Sequence, residues 1–268
     1  MPALRFRNPA FRTLIRARVA RVTRLTPHFI TVTLASEEMG GFDYLGVDQA
    51  VRLFFPRRGQ DGLRLPNSSG NSWIAKIYLI PAAVRPHVRN YTIRACRPDA
   101  GELDIEFVAH GDDSPASHWA THARPGDEAG LFPEGIQYLP PDPRVPQLLV
   151  ADESAVPAVL SILDHAPAGL RASVFLEVPT SSDIRIFPAL AGVRVHWLPR
   201  DGRGGIPGAL ALETVRAAAL PPGEFYTFVA GESALPTGLR RHLVNDRGRP
   251  RSSVTCVGYW RHGRASLG

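Results

Sequence analysis

Residues 89–96 read RNYTIRAC, and they carry more polar chemistry than an edge strand needs: Arg89, Tyr91 and Thr92, with Arg94 close behind. A period of two sets Arg89 and Tyr91 on one face of such a strand, a cation beside an aromatic ring. A second stretch, HGDDSPASHWA at 110–120, places His110 and Gly111 ahead of Ala116, Ser117 and Trp119. His118 and His122 stand four apart, a metal-ligand spacing on a helix, but no glutamate lies between them and no third ligand is evident, so no metal site is predicted. The two cysteines, Cys96 and Cys256, are far apart and form no CxxC, which implies neither a disulfide framework nor a zinc site.

Two further turns echo each other. LLVADESAVPAVLSIL and TFVAGESALPTGLRRHL both set Glu-Ser-Ala-aliphatic-Pro just after an apolar run, around Glu153 and Ser154 in the first and Glu232 and Ser233 in the second. Serine and proline start helices well, and ligands of open α/β sheets bind beyond the carboxyl ends of strands, where both turns fall. GESAL also has the outline of a nucleophile elbow, yet Leu235 replaces the closing glycine of GxSxG. His242 and His262 do not follow an aspartate in convincing order, so a hydrolase is the weaker reading. The glycine cluster GRGGIPG at 202–208 has Pro207 where a dinucleotide fingerprint needs its third glycine.

The elements that must position these residues fall into two halves. The chain has 268 residues and a formal net charge of +6, carried as single arginines rather than basic blocks. That favours small anionic ligands over a nucleic-acid groove. No apolar signal segment and no bilayer-length run occur, so a cytoplasmic protein without a membrane partner is expected. The first half, with ARVARVTRLT, FITVTLAS, AVRLFFP, NYTIRAC and ELDIEFVAHG, alternates with period two and predicts an antiparallel barrel of the six-stranded type. Residues 61–71, DGLRLPNSSGN, are polar and turn-rich and predict a long hairpin excursion. SPASHWATHA predicts one short helix, with Ser114 as cap and Pro115 in its first turn.

Four prolines in LPPDPRVP mark an interdomain linker at 139–146, between a barrel domain at 1–138 and a second domain at 147–268. Beyond it, QLLVA, ASVFLEV, VRVHWLP, FYTFVAG and SVTCVGYW alternate with helical stretches, which predicts a five-stranded parallel α/β domain of the nucleotide-binding kind.

A barrel followed by a parallel sheet is the layout of flavin reductases of the ferredoxin reductase type. More narrowly, the chain resembles the siderophore-interacting protein family through RNYTIR, FVAHG, SPASHWA, PGDEAGL, ADESAVPAV, VAGESA, LRRHL and GYWRHG, in that order and over nearly the whole chain. The resemblance implies an FAD-dependent reductase of ferric siderophores, drawing electrons from NAD(P)H or from a ferredoxin. It implies Arg89 toward phosphate, Tyr91 against the isoalloxazine or ribityl chain and Thr92 near N5. His110, Gly111, Ala116, Ser117 and Trp119 would complete the dinucleotide site, although Ser114 replaces the family's glycine and His118 its usual arginine.

Glu153, Ser154 and Glu232 are the corresponding donor-side residues. Trp260, in the last strand, is chosen over Tyr259 to cover the flavin, because alternation sends the two to opposite faces. Arg52, Arg261 and Arg264 are the expected cations for an anionic siderophore or another anionic small molecule. No general acid or base is expected. The rival from within the family is a scaffold recruited as a tailoring or cyclising enzyme in metabolite biosynthesis, with or without flavin.

Overall fold

The computed structural model describes residues 6–60, 62–66, 70–111, 114–188 and 190–264. The chain divides into two compact units, one spanning Arg7–Ile136 and a second beginning at Gln137. The proline-rich run at 139–146 holds no helix or strand.

Six strands build the first unit: β1 (Ile15–Thr26), β2 (Phe29–Ala35), β3 (Ala50–Phe55), β4 (His87–Arg97), β5 (Glu102–Val108) and β6 (Glu128–Pro133). They close an antiparallel barrel in the order β1-β2-β5-β4-β3-β6. The alternation visible in the sequence is the cause: Ile15, Ala17 and Val19 on β1 and Val51, Leu53 and Phe55 on β3 all enter one core.

Between β3 and β4 runs the predicted excursion, of which residues 61 and 67–69 lie outside the described residues. It holds a helical turn that the sequence did not announce, α1 (Trp73–Lys76) followed by a 3-10 turn at Ile77–Leu79. One turn is too short for a helical period to stand out. Trp73 meets Phe54 edge-on and joins Ile77, Val88 and Phe132 in a separate cluster. The helix α2 (Pro115–His122) starts at Ser114 as expected, though the Ser114 side chain makes no capping bond. Its Ala116, Trp119 and Ala120 complete the barrel core.

The second unit is a parallel sheet of β7 (Gln147–Ala151), β8 (Ala172–Val178), β9 (Val193–Pro199), β10 (Tyr226–Glu232) and β11 (Val254–Trp260), ordered β11-β10-β7-β8-β9. Three helices, α3 (Val156–Asp164), α4 (Ala209–Ala217) and α5 (Ala234–Arg241), lie in the connections. The chain leaves β7 on one side through β8 and β9 and returns to β10 on the other, so the topological switch falls between β7 and β10.

One expectation fails here. Gly231 pairs with Gly258 but Glu232 pairs with Trp260, so Tyr259 is an extra residue on β11 and strict alternation of Tyr259 and Trp260 does not hold. Among the described residues no helix is long and apolar enough to cross a membrane.

Candidate functional site

The β3–β4 register pairs Val51 with Tyr91 and Leu53 with Arg89. Since Val51 and Leu53 face the core, Tyr91 and Arg89 share that face. Tyr91 packs on Phe107 with ring centroids 4.4 Å apart, Phe107 on Trp119 at 5.7 Å, Trp119 on Phe55 at 5.4 Å and Phe55 on His87 at 5.3 Å. This row of rings ties the RNYT strand to α2. Burial holds the Tyr91 phenol above its ordinary range, against the opposing charge of Arg89, so Tyr91 stays neutral.

The turn before α2 is tied down by Ser117, whose Oγ accepts from His110 N at 3.2 Å and donates to Gly111 O at 2.8 Å. Gly111 has φ 84°, the left-handed region that a glycine enters without strain. Of the residues expected here, Arg89, Tyr91, Thr92, His110, Gly111, Ala116, Ser117 and Trp119 all lie in the first unit. Thr92, paired with Ala50, is buried.

Arg89 decides what this face can hold. It is half-buried, and among the described residues its one hydrogen bond is to Val88 O at 2.7 Å, with no carboxylate partner. Burial lowers its pKa, and so does the nearby charge of Arg57. A half-buried cation without an anion is costly and suits a site that awaits phosphate. Among the described residues the Trp119 Nε1 donor is likewise buried without a partner. An anionic, aromatic dinucleotide such as FAD would fit these groups: Arg89 for phosphate and Tyr91 for a ring.

Arg52 does not join them. It alternates with Val51 and Leu53 onto the opposite face of β3, where its Nε lies 3.0 Å from Glu134 and its guanidinium sits over Trp73. Arg12 shares the same Glu134 carboxylate. Arg52, expected as a cation for the substrate, thus has its guanidinium paired with Glu134 on the face away from Tyr91.

The donor-side residues expected from the sequence meet at the switch point of the second unit, but their polar atoms are occupied. Glu153 holds Arg200 through two contacts, at 2.6 and 2.9 Å, and Arg200 also reaches Glu177 at 2.8 Å. Glu232 accepts from the amides of Ala234 and His262, at 2.6 and 3.1 Å. Ser154 donates through Oγ to Asp152 at 2.6 Å. Ser233 is no nucleophile, because its hydroxyl donates to Trp260 O at 2.7 Å. Trp260 is half-buried, with its indole Nε1 buried and without a partner among the described residues, and Arg261 and Arg264 are exposed just past β11.

The sequence reading missed Asp152 and Arg200. Both stand at strand ends beside residues it did select, and a carboxylate or guanidinium at the carboxyl end of a parallel strand was the available signal.

Asp152 is fully buried and accepts from Ser154 N and Ser154 Oγ through one oxygen and from Glu232 N through the other. Burial, reinforced by Glu153, raises its carboxyl from 3.8 to about 7, against the bonds from Ser154 and Glu232. The native state therefore keeps a proton that the unfolded chain releases above pH 4. Stability from this group is complete at acid pH and falls as pH rises to about 7, by at most about 4 kcal/mol. Denaturant unfolding at pH 5 and pH 8 is expected to show a smaller decline in Asp152→Asn than in wild type. Equal declines would remove Asp152 from the account.

An antiparallel barrel with a cationic, aromatic strand, followed by a parallel sheet of this order, defines the ferredoxin reductase-like flavoproteins as the class. Residues 18–136 match the siderophore-interacting FAD-binding domain and residues 146–263 match the siderophore-interacting protein family. The chain belongs to the siderophore-interacting protein family. It is 31% identical over 247 residues to the ferric vibriobactin reductase ViuB of Vibrio cholerae, covering 90% of this chain and 86% of that protein. Among solved structures it resembles the siderophore-interacting protein SipS of Aeromonas hydrophila, with TM-score 0.77 and 29% identity over 95% of this chain and 94% of that one. It also resembles a siderophore utilization protein from T. fusca, with TM-score 0.81 and 27% identity over 98% and 99%. FAD is the cofactor of this family's first domain, and the chain is an FAD-dependent oxidoreductase.

Proposed function

We propose that this protein reduces Fe(III) in a ferric siderophore with electrons from NAD(P)H or a ferredoxin, and that it works in the cytoplasm, where both donors are available. The observation that carries the reading is Arg89, a half-buried cation without a carboxylate among the described residues, on the same strand face as Tyr91. ViuB, named a ferric vibriobactin reductase, supports the substrate class.

When bound, FAD supplies two-electron to one-electron exchange, taking a hydride or single electrons in and passing single electrons out to Fe(III). Arg89 holds the pyrophosphate, together with the start of α2 and the turn of His110 and Gly111 that Ser117 secures. Tyr91 would hold the ring or ribityl chain of the flavin, and Thr92, next along the strand, would serve the flavin's redox-active edge. Ala116 is small where the chain must approach phosphate, and Trp119 backs the site. Arg261 and Arg264, exposed and without an acidic partner among the described residues, attract an anionic ferric siderophore.

The second unit takes the donor at the β7/β10 switch point. Glu153, Ser154 and Glu232 shape that crevice through their internal bonds. No side chain needs to act as acid or base.

Purified protein is expected to be yellow, to release FAD on denaturation, and to reduce a ferric tris-catecholate or tris-hydroxamate when NADH, NADPH or reduced ferredoxin is supplied anaerobically with a ferrous chelator. Release of FMN, or a protein that stays colourless after incubation with excess FAD, would overturn the reading and favour a scaffold recruited to other chemistry.

A further inference from the structure

Positive charge is concentrated in one part of this chain. Between Asp48 and Asp99 stand nine lysines and arginines and a single acid, Asp61, a surplus of eight where the whole chain carries +6. Five of the nine, Arg57, Arg58, Arg64, Lys76 and Arg85, belong to the excursion between β3 and β4.

The same excursion carries an apolar tip. Ile74, Tyr78 and Leu79 are 50, 65 and 81% exposed, three of the nine large hydrophobic side chains exposed among the described residues, and they fall within six positions of one another. Pro81, Ala82 and Ala83, also exposed, extend the tip. It is held in place. Trp73 packs on Phe54 and Phe132, and Ile77 joins the same cluster, so Ile74 and Tyr78, four apart, turn the other way. Arg85 lies over the Tyr78 ring at 5.1 Å and donates to Tyr78 O at 3.1 Å and to Ile80 O at 3.0 Å. Arg57 Nε donates to Arg85 O at 2.7 Å and Gln60 Nε2 donates to Ala83 O, which brings the Arg57–Arg58 pair beside the tip.

A cluster of large apolar side chains fixed in water marks a surface that something covers. The charge around it selects what. A second copy of this chain would set one basic excursion against another, which repels. A phospholipid surface with anionic headgroups takes apolar side chains below the headgroups and cations among them, and it needs no shaped pocket on the protein.

We infer that the β3–β4 excursion attaches the protein to an anionic phospholipid surface, with Ile74, Tyr78 and Leu79 entering the interface and Arg57, Arg58 and Lys76 meeting the headgroups. The sequence gave no membrane partner because it has no spanning run, and attachment to a surface needs none. Trp73 packs on Phe54, which alternates with Leu53 and Phe55 onto the face of β3 opposite Tyr91, so the tip is built on the other side of the strand from the Arg89–Tyr91 face. The inference goes beyond the FAD reading and does not depend on it.

Full-length protein is sedimented with phosphatidylcholine vesicles, with and without phosphatidylglycerol, at low and at high salt. Binding is expected to the phosphatidylglycerol vesicles and to fall at high salt. Leu79→Asp and Ile74→Asp should each weaken it about tenfold or more, with Leu79→Ala between them and wild type. Arg58→Gln together with Lys76→Gln should weaken it about 20-fold, since each cation near an anionic surface gives roughly fivefold. All four side chains are exposed, so the melting temperatures should match wild type.

Absence of binding to phosphatidylglycerol vesicles, equal binding to phosphatidylcholine alone, or binding that Leu79→Asp and Ile74→Asp leave unchanged overturns the inference. So does a dimer in size-exclusion chromatography that Leu79→Asp dissociates in place of vesicle binding, which would make the tip a contact between copies. Retention on an immobilised acidic ferredoxin without vesicle binding also overturns it and makes the tip a protein-docking surface. The measurements read neither flavin nor turnover, so their failure leaves the FAD reading untouched, and a flavin-free protein leaves this inference untouched.

Discussion

Arg89→Ala is expected to emerge from purification largely colourless, with FAD bound about 100-fold more weakly than in wild type, yet with a flavin-free fold as stable as the parent or more so. The two halves of this result have one cause. Arg89 is half-buried, and among the described residues it has only the Val88 carbonyl for a partner. Before flavin binds, its charge costs desolvation that nothing returns, so truncation relieves the free protein. Once a pyrophosphate arrives, the same guanidinium makes charge-assisted bonds worth about 1.5–3 kcal/mol each, and one or two of them account for the loss.

Opposite signs for flavin affinity and for the stability of the flavin-free protein separate a ligand-binding arginine from a structural one. The measurements are the FAD to protein ratio after purification, FAD titration of flavin-free protein, and thermal melts without flavin. A fall in flavin-free stability with FAD affinity unchanged would make Arg89 a packing residue.

What the sequence made legible follows from which forces act locally. Strand alternation and apolar runs come from burial of one face or two, and they located most strands of both units and the order barrel then parallel sheet. The RNYT strand stood out as a candidate site because Arg89 and Tyr91 break the apolar pattern on the very face that should be buried. The helix α1 stayed hidden, since Trp73–Lys76 is one turn and its stability comes from packing Trp73 on Phe54 and Phe132, contacts distant in sequence.

Partner choice stayed hidden for the same reason. Arg52, Glu153 and Glu232 look like available charges in a string of letters. Only the fold brings Glu134 to Arg52, Arg200 to Glu153, and the His262 amide to Glu232.

The second large effect belongs to Gly231, at the β7/β10 seam. Gly231 has φ 141°, which side chains avoid, and a Cβ built there would stand 2.5 Å from Asp152 Cγ and 2.6 and 2.8 Å from its two oxygens. Asp152 cannot swing aside, because Ser154 N and Oγ hold one oxygen at 2.8 and 2.6 Å and Glu232 N holds the other at 2.5 Å. Gly231→Ala must therefore either break these buried bonds or undo the bulge that pairs Glu232 with Trp260.

Each buried polar group left without a partner costs about 1–3 kcal/mol, and the backbone strain adds of order 1–3 kcal/mol, so a loss of roughly 3–5 kcal/mol is expected in denaturant unfolding. The glycine's freedom alone would predict less, and a double-mutant cycle tells the two apart. If the clash is with the carboxylate, Asp152→Ala opens the space and Gly231→Ala should cost much less in that background than in wild type. An unchanged cost in the Asp152→Ala background would mean that backbone conformation, and not the Asp152 side chain, makes this position glycine.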